Sequence, residues 1–188
     1  MEQSNLRPFL RNNLDILFVG LNPAKGSSDN RHYFSVNQAF WNQLYDSGLL
    51  IERVDKSNAD TNVFGSSECN FNNWSYGITD LIFEIAESNS TLIKPDYNHS
   101  ERLVKTIKQF EPKVVILLHG KVLETVLNYL GEEIPSANSG ELGELIPGCS
   151  SNFFNIAFPH GNTITSSDKI IRYEEVKEYL LKLKSNLV

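Results

Sequence analysis

The chain has only two cysteines, Cys69 and Cys149. Two thiols are too few for a disulfide framework, a four-thiolate metal site or an iron–sulfur cluster, so they read as partly buried free thiols in a reducing compartment. No apolar run approaches the roughly 20 residues that a membrane helix needs. The start, Met1 to Asn13, is polar and lacks the apolar segment of a secretory signal. These absences lead to the expectation of a cytoplasmic protein with no membrane partner. The four histidines, His32, His99, His119 and His160, show no metal-ligand spacing. No glycine-rich phosphate fingerprint follows the first apolar run, and no Gly-x-Ser-x-Gly elbow occurs. Metal, dinucleotide, P-loop and serine-hydrolase chemistry thus have no support.

Positive charge is also in short supply. Seventeen Lys and Arg face 23 Asp and Glu, for a net charge of −6 and a sequence pI of about 5.2. Nucleic-acid binding is driven by phosphate neutralisation, so this balance counts mildly against such a partner. A local basic rim can still bind it while distant acidic faces set the net charge.

What is present is a 188-residue chain, 40% hydrophobic and 21% charged. That is enough for one domain over residues 1–188 with a full core. Leu14 to Val19, Val114 to Leu118 and Asn152 to Phe158 are short apolar runs that read as buried strands of a parallel sheet. A shorter one lies at Tyr76 to Leu81. Helical patterns lie between them. Phe40 and Leu44 share helical spacing, with Gly48 as a stop. Asn98 and Glu101 have capping-box spacing before the face Leu103, Val104, Ile107, Phe110, and Pro112 ends that helix. Val122, Val126, Leu127 and Leu130 precede Gly131. Tyr173, Val176, Leu180, Leu183 and Leu187 form a last amphipathic face. Residues 52–74, rich in Ser, Asn and Asp, read as one long loop. Strands alternating with helices imply a parallel α/β sheet with right-handed crossovers.

Ligands of such sheets bind beyond the carboxyl ends of the strands. Gly20 to Pro23, His119 to Lys121 and Phe158 to Asn162 occupy those positions. Gly20 and Pro23 force a tight turn that holds the Asn22 amide at the strand end. That amide can accept from water while donating to a carbonyl, or Asn22 can serve turn propensity alone. Asp15, at the start of the run, reads as structural. Lys121 sits at a helix N-terminus, where it either meets phosphate or is simply solvated. Lys25, Arg31, Lys169 and Arg172 flank the two loops as a possible basic rim.

The stretch Gly20 to Leu49 resembles the first motif region of mismatch-specific uracil/thymine-DNA glycosylases, a branch of the uracil-DNA glycosylase superfamily. Those enzymes carry a Gly-Ile-Asn-Pro-Gly turn and a Ser-containing loop. An aromatic follows, matched here by Tyr33, and then a Phe-Trp pair, matched by Phe40 and Trp41. Tyr76 to Leu81 looks like the family's Tyr-Gly-Ile/Val-Thr-Asn-Leu/Met segment, with Asp80 in the Asn position. Gly120 and Lys121 after the apolar strand also match. The likeness runs over most of the chain.

The resemblance implies an α/β/α three-layer sandwich with a central, mainly parallel sheet of about four strands. It also implies a monofunctional DNA glycosylase that hydrolyses the N-glycosidic bond of a flipped uracil or related deaminated or mispaired base, as a monomer without metal or organic cofactor. Asn22 would position the water and Tyr33 would stack on the base. Leu21, Pro23 and Ala24 would contact the base, and Ala24 stands where close relatives have Gly. The second motif departs from the family, because His160 replaces Ser after Pro159. His160 would stabilise the leaving base or contact a phosphate. Gly161, Asn162, Thr163 and Ile164, with Lys25 and Lys121, would grip DNA, Asn162 or Ile164 acting as the wedge. The acidic pI and the altered second motif also leave open a glycosylase-fold protein that binds nucleic acid or a base with little or no catalysis.

Overall fold

The computed structural model describes residues 2–186. Its strands are β1 (Glu2–Gln3), β2 (Ile16–Gly20), β3 (Tyr76–Asp80), β4 (Ile85–Ala86), β5 (Val114–Leu117), β6 (Gly140–Glu144) and β7 (Asn152–Asn155). Its α-helices are α1 (Lys25–Asn30), α2 (Ala39–Asp46), α3 (Tyr97–Phe110), α4 (Gly120–Leu130) and α5 (Ser166–Ser185). A five-stranded sheet has the order β3-β2-β5-β7-β6, and β1 pairs with β4 in a separate two-stranded ribbon.

The protein is a three-layer α/β/α sandwich. Four neighbouring strands of the main sheet are parallel, and β6 adds an antiparallel edge to β7. The four parallel strands are those that the apolar runs indicate. β6 is additional to them, because Gly-Glu-Leu-Gly-Glu carries no strand pattern. Gly140 and Gly143 have φ of +87° and +80°, and the register shifts between Glu141 and Gly143. Such an irregular, charged strand suits an edge.

Strand β2 is buried at every residue, which is why it reads as a continuous apolar run rather than an alternating one. Ile16 and Phe18 face one core with Ile116, Phe154 and the α5 residues Tyr173, Val176 and Leu180. Leu17 and Val19 face the other, with Leu103 and Ile107 of α3 and Val122 and Val126 of α4. Leu187 of the last amphipathic face lies outside the described residues.

Local chemistry sets the helix ends. The capping box of α3 is built by Asp96 and His99, not by Asn98 and Glu101. Asp96 Oδ1 accepts from the His99 N–H at 3.1 Å, and His99 Nδ1 accepts from the Asp96 N–H at 3.1 Å. The extended Asp96 follows Pro95, whereas Asn98 already lies inside the helix. Residues 52–74 are not a free loop. They form short π and 3₁₀ turns at Thr61–Gly65 and Phe71–Asn73. Val63 and Phe64 are fully buried, and the Phe64 ring packs against Phe9, Phe18 and Trp41.

Asp15, one residue before β2, ties the amino-terminal side of the sheet together. It accepts from Lys113 Nζ and Lys184 Nζ, each at 2.7 Å, and from the Ser75 N–H at 2.9 Å. It thereby joins the starts of β2, β3 and β5 to the end of α5. Burial pushes its carboxyl up, but the two ammoniums and the Ser75 N–H outweigh that and hold it below the usual carboxylate range. A depressed folded-state value gives stability that is present above the unfolded value and is lost as pH falls through the folded one. Asp15→Asn is expected to cost about 1.5–3 kcal/mol near neutral pH, read by urea denaturation. The difference from the parent should shrink below about pH 4; a pH-independent difference would contradict the ion-pair assignment.

Candidate active site

The chain leaves β2 to form β3 on one side, then crosses back through α3 to β5 on the other side of β2. Such a reversal opens a crevice at the carboxyl ends of the strands. A cavity of about 670 Å³ lies there. Its wall is made by the turn after β2, the end of β3, the start of α4 and the segment after β7.

Asn22 is half-buried and lines this cavity. Its Nδ2 donates to the carbonyls of Pro23 at 2.9 Å and Glu87 at 2.8 Å, with Ile85 O at 3.5 Å. The Glu87 N–H in turn donates to Pro23 O at 3.0 Å. The amide's donor end is therefore committed to backbone. Its Oδ1 accepts from no protein group among the described residues, and is left to accept a hydrogen bond from a water or ligand. Leu21 is buried in the second core, while its backbone, Pro23 and Ala24 complete the rim of the turn.

An aromatic wall stands across from this turn. Tyr33 is only 4% exposed, and its backbone N–H donates to the buried Asp60 carboxylate at 2.8 Å. Phe34, the next residue, is half-buried at φ +52° and also lines the cavity. Its ring stacks on Phe40 at 4.0 Å and meets Phe158 at 6.1 Å. Phe158 in turn meets His160 edge-on at 5.1 Å. The family resemblance singles out Tyr33, yet Phe34 is the ring less enclosed by protein.

Two further residues of the segments singled out by pattern and resemblance, Asp80 and His119, also line the cavity. Asp80 ends β3 beside Gly20, and a Cβ on Gly20 would overlap Asp80 Oδ1. Burial raises the Asp80 carboxyl to about 7, although Tyr33 and Arg102 pull it down. Tyr33 Oη and Asp80 Oδ2 are both buried, and the Tyr33 hydroxyl is the group whose hydrogen bonding lowers the Asp80 carboxyl. His119 caps α4, its Nδ1 accepting from the Lys121 N–H at 3.1 Å. Burial, then Lys121, lowers its pKa, so the neutral ring carries its proton on Nε2 as a donor.

The segment after β7 is held from below. Pro159 O accepts from Gln43 Nε2 at 3.0 Å and from the buried Lys169 Nζ at 3.2 Å. Asn162 Nδ2 donates to Phe158 O, and its Oδ1 accepts from the Ile164 N–H. His160, Gly161, Asn162 and Ile164 line the cavity; Thr163 is exposed beside them. Burial and Lys169 lower the His160 pKa. Ile164 is 47% exposed, and Val36, which also lines the cavity, is 56% exposed.

The cations are mostly engaged within the protein. Lys25 lies 3.6 Å from Glu87 and 3.9 Å from Glu2. Lys121 does not line this cavity; its ammonium donates to Ser90 O at 2.6 Å and Ile93 O at 3.2 Å. Arg172 pairs with Glu175, and Arg31 is exposed. Among the described residues no group of three His, Cys, Asp or Glu gathers to hold a metal, and no helix is long and apolar enough to cross a membrane.

The carbonyls around Asn22 explain why an amide rather than a carboxylate stands in this turn. Asn22→Asp sets an oxygen against the Pro23 and Glu87 carbonyls. It is expected to cost about 1–3 kcal/mol near neutral pH and less at acid pH, where a protonated acid can donate. Urea denaturation across pH checks this, and a loss under about 0.5 kcal/mol at neutral pH would contradict it.

No curated protein matches the chain. The family model described as the uracil DNA glycosylase superfamily matches residues 8–184, nearly the whole length. The motif turn after β2, the crevice at the strand ends and this match agree: the chain belongs to the uracil DNA glycosylase superfamily.

Proposed function

We propose that the protein is a monofunctional DNA glycosylase of the mismatch-specific type. It acts as a single-domain monomer over residues 1–188 and hydrolyses the N-glycosidic bond of a flipped uracil or related deaminated or mispaired base. The observation that carries this reading is Asn22. Its NH₂ is fixed on the Pro23 and Glu87 carbonyls while its oxygen is free in a cavity of base-accepting size.

The chemistry follows from that placement. As the glycosidic bond stretches, positive charge builds on the sugar and negative charge on the base. Asn22 Oδ1 orients a water whose oxygen bonds to the sugar carbon as the base leaves with the bonding electrons, and the proton that the water loses ends on the departing base anion, giving an abasic sugar and a neutral free base. An amide positions water but is a weak base, so leaving-group stabilisation carries much of the barrier. The Nε2–H of neutral His119, the His160 ring and backbone N–H groups of the turn from Leu21 to Ala24 are the candidate donors to the departing base. Phe34, with Tyr33 behind it, supplies the stacking surface. Ile164 and Val36 are the apolar groups suited to fill the gap left by the flipped base.

One observation favours a second reading, a glycosylase-fold protein that binds nucleic acid or a base with little catalysis. Lys25, Lys121, Lys169 and Arg172 are all bound to protein groups, so of the cations flanking the two loops Arg31 is the exposed one left to meet a phosphate.

The test is base release from labelled oligonucleotides carrying uracil, G·U, G·T, hypoxanthine or xanthine, in single and double strands, read by alkali cleavage of the abasic site. Cleavage of at least one substrate is expected. No cleavage by folded protein in large excess would favour the binding reading. Phe34→Ala is expected to weaken uracil-site binding by about 5- to 100-fold, from roughly 1–3 kcal/mol of stacking, with a smaller effect on undamaged DNA. Equal loss on both would reject the stacking role.

A further inference from the structure

We propose that Asp60 is a positioning residue for base capture: its buried carboxylate holds the backbone that sets Phe34 in the cavity wall. The role of the Phe34 ring rests on the glycosylase reading, but the first arm of the test does not.

Residues 52–74 are the stretch rich in Ser, Asn and Asp, and none of it lines the cavity. Its first part instead grips the segment from His32 to Gln38 at both ends. Asp60 is 1% exposed and gathers three donors. Its Oδ2 accepts from the Tyr33 N–H at 2.8 Å. Its Oδ1 accepts from the Thr61 N–H at 2.8 Å and from His32 Nδ1 at 2.7 Å. A carboxylate only accepts, so the His32 donor is Nδ1–H. At the other end, Lys56 Nζ donates to Val36 O at 2.7 Å. The Lys56 N–H donates to Gln38 Oε1 at 3.0 Å, and Gln38 Nε2 donates to Val54 O at 2.7 Å.

The gripped segment needs holding. Arg31 and Phe34 lie in the left-handed region, at φ +62° and +52°. Residues other than glycine stay there only where their surroundings enforce it. Tyr33 lies between them, and Asp60 fixes its N–H immediately before the Phe34 turn. The Phe34 ring then stacks on Phe40, and its carbonyl accepts from Trp41 Nε1 at 3.3 Å. A wall set in advance spares a stacking ligand the cost of ordering it. The carboxylate matters because three N–H groups converge on it. An amide in its place keeps one acceptor oxygen and turns an NH₂ toward the remaining donors. His32 can move its proton to Nε2 and accept from that NH₂, but a backbone N–H cannot. Asp60→Asn fills the same space, so its effect isolates these bonds.

The first arm of the test uses the free full chain and heteronuclear NMR. In Asp60→Asn the Trp41 indole N–H and the amides from Tyr33 to Val36 should shift or broaden. The Trp74 indole and the amides of β2 and β5 should stay in place. In the parent, the Tyr33 amide should exchange with solvent about 100-fold or more slower than the amide of exposed Val36. Unmoved Trp41 and Tyr33 signals in the variant would overturn the inference. Equal exchange at Tyr33 and Val36 in the parent would overturn it too, with no variant needing to fold. The second arm is a double-mutant cycle on the preference for uracil-containing over undamaged DNA. Asp60→Asn should weaken that preference about 3- to 30-fold in the parent and less than about 2-fold in the Phe34→Ala background, because it acts through that ring. Equal losses in both backgrounds would show a merely structural carboxylate and overturn the positioning role. A parent without preference for uracil would reject the glycosylase reading, and the NMR arm alone would then decide whether Asp60 sets the wall.

Discussion

Strand β2 is paired along both edges and buried on both faces, and the site takes its geometry from that strand's carboxyl end. Gly20 pairs with Asp80 of β3, and Val19 before it pairs with Thr79 of β3 and Leu117 of β5. Asp15 anchors the opposite end of the same strand through two lysines and a backbone N–H. The turn from Leu21 to Ala24 therefore leaves a rigid post, and the segment after β4 is fixed to it through Asn22 and Pro23. Mobility at the Glu87 segment would translate directly into a displaced Asn22 oxygen.

The site includes groups that the fold leaves incompletely satisfied. Asn22 spends its donors on backbone and keeps an acceptor. Asp80 and Tyr33 bury their oxygens against one another, and His119 spends Nδ1 on its helix and keeps Nε2–H. All four line one cavity, where a bound ligand can meet them. The charged groups behave oppositely. Lys25, Lys121 and Lys169 are satisfied within the protein.

The pattern of residues exposes the parts whose physics is periodic. Strands β2, β3, β5 and β7 and helices α2 to α5 follow from apolar runs and helical faces, and the turn at Asn22 from its Gly and Pro. What escapes is decided by neighbours far apart in the chain. Strand β6 exists because β7 offers an edge, and Gly-Glu-Leu-Gly-Glu has no local strand signal. The capping box shifts from Asn98 and Glu101 to Asp96 and His99, because both sets offer suitable side chains and only the packing of α3 chooses its first turn. Tyr33 and Phe34 are adjacent aromatics, and the ring less enclosed by protein depends on the left-handed backbone at Phe34. Asp80 is visible as an Asp in a segment where the resembled family carries Asn, but its burial against Gly20 belongs to the strand pairing alone. Lys121 illustrates the converse: its position before a helix suggests phosphate, and its ammonium is held by the carbonyls of Ser90 and Ile93.

The central claim is that Asn22 acts on water and not on DNA affinity. Single-turnover release of uracil by Asn22→Ala, measured beside DNA binding by the same preparation, tests it most directly. The account requires release to fall about 100-fold or more, while affinity for uracil-containing DNA changes by no more than a few-fold. Release close to that of the parent, or a parallel collapse of binding in a folded variant, would contradict it.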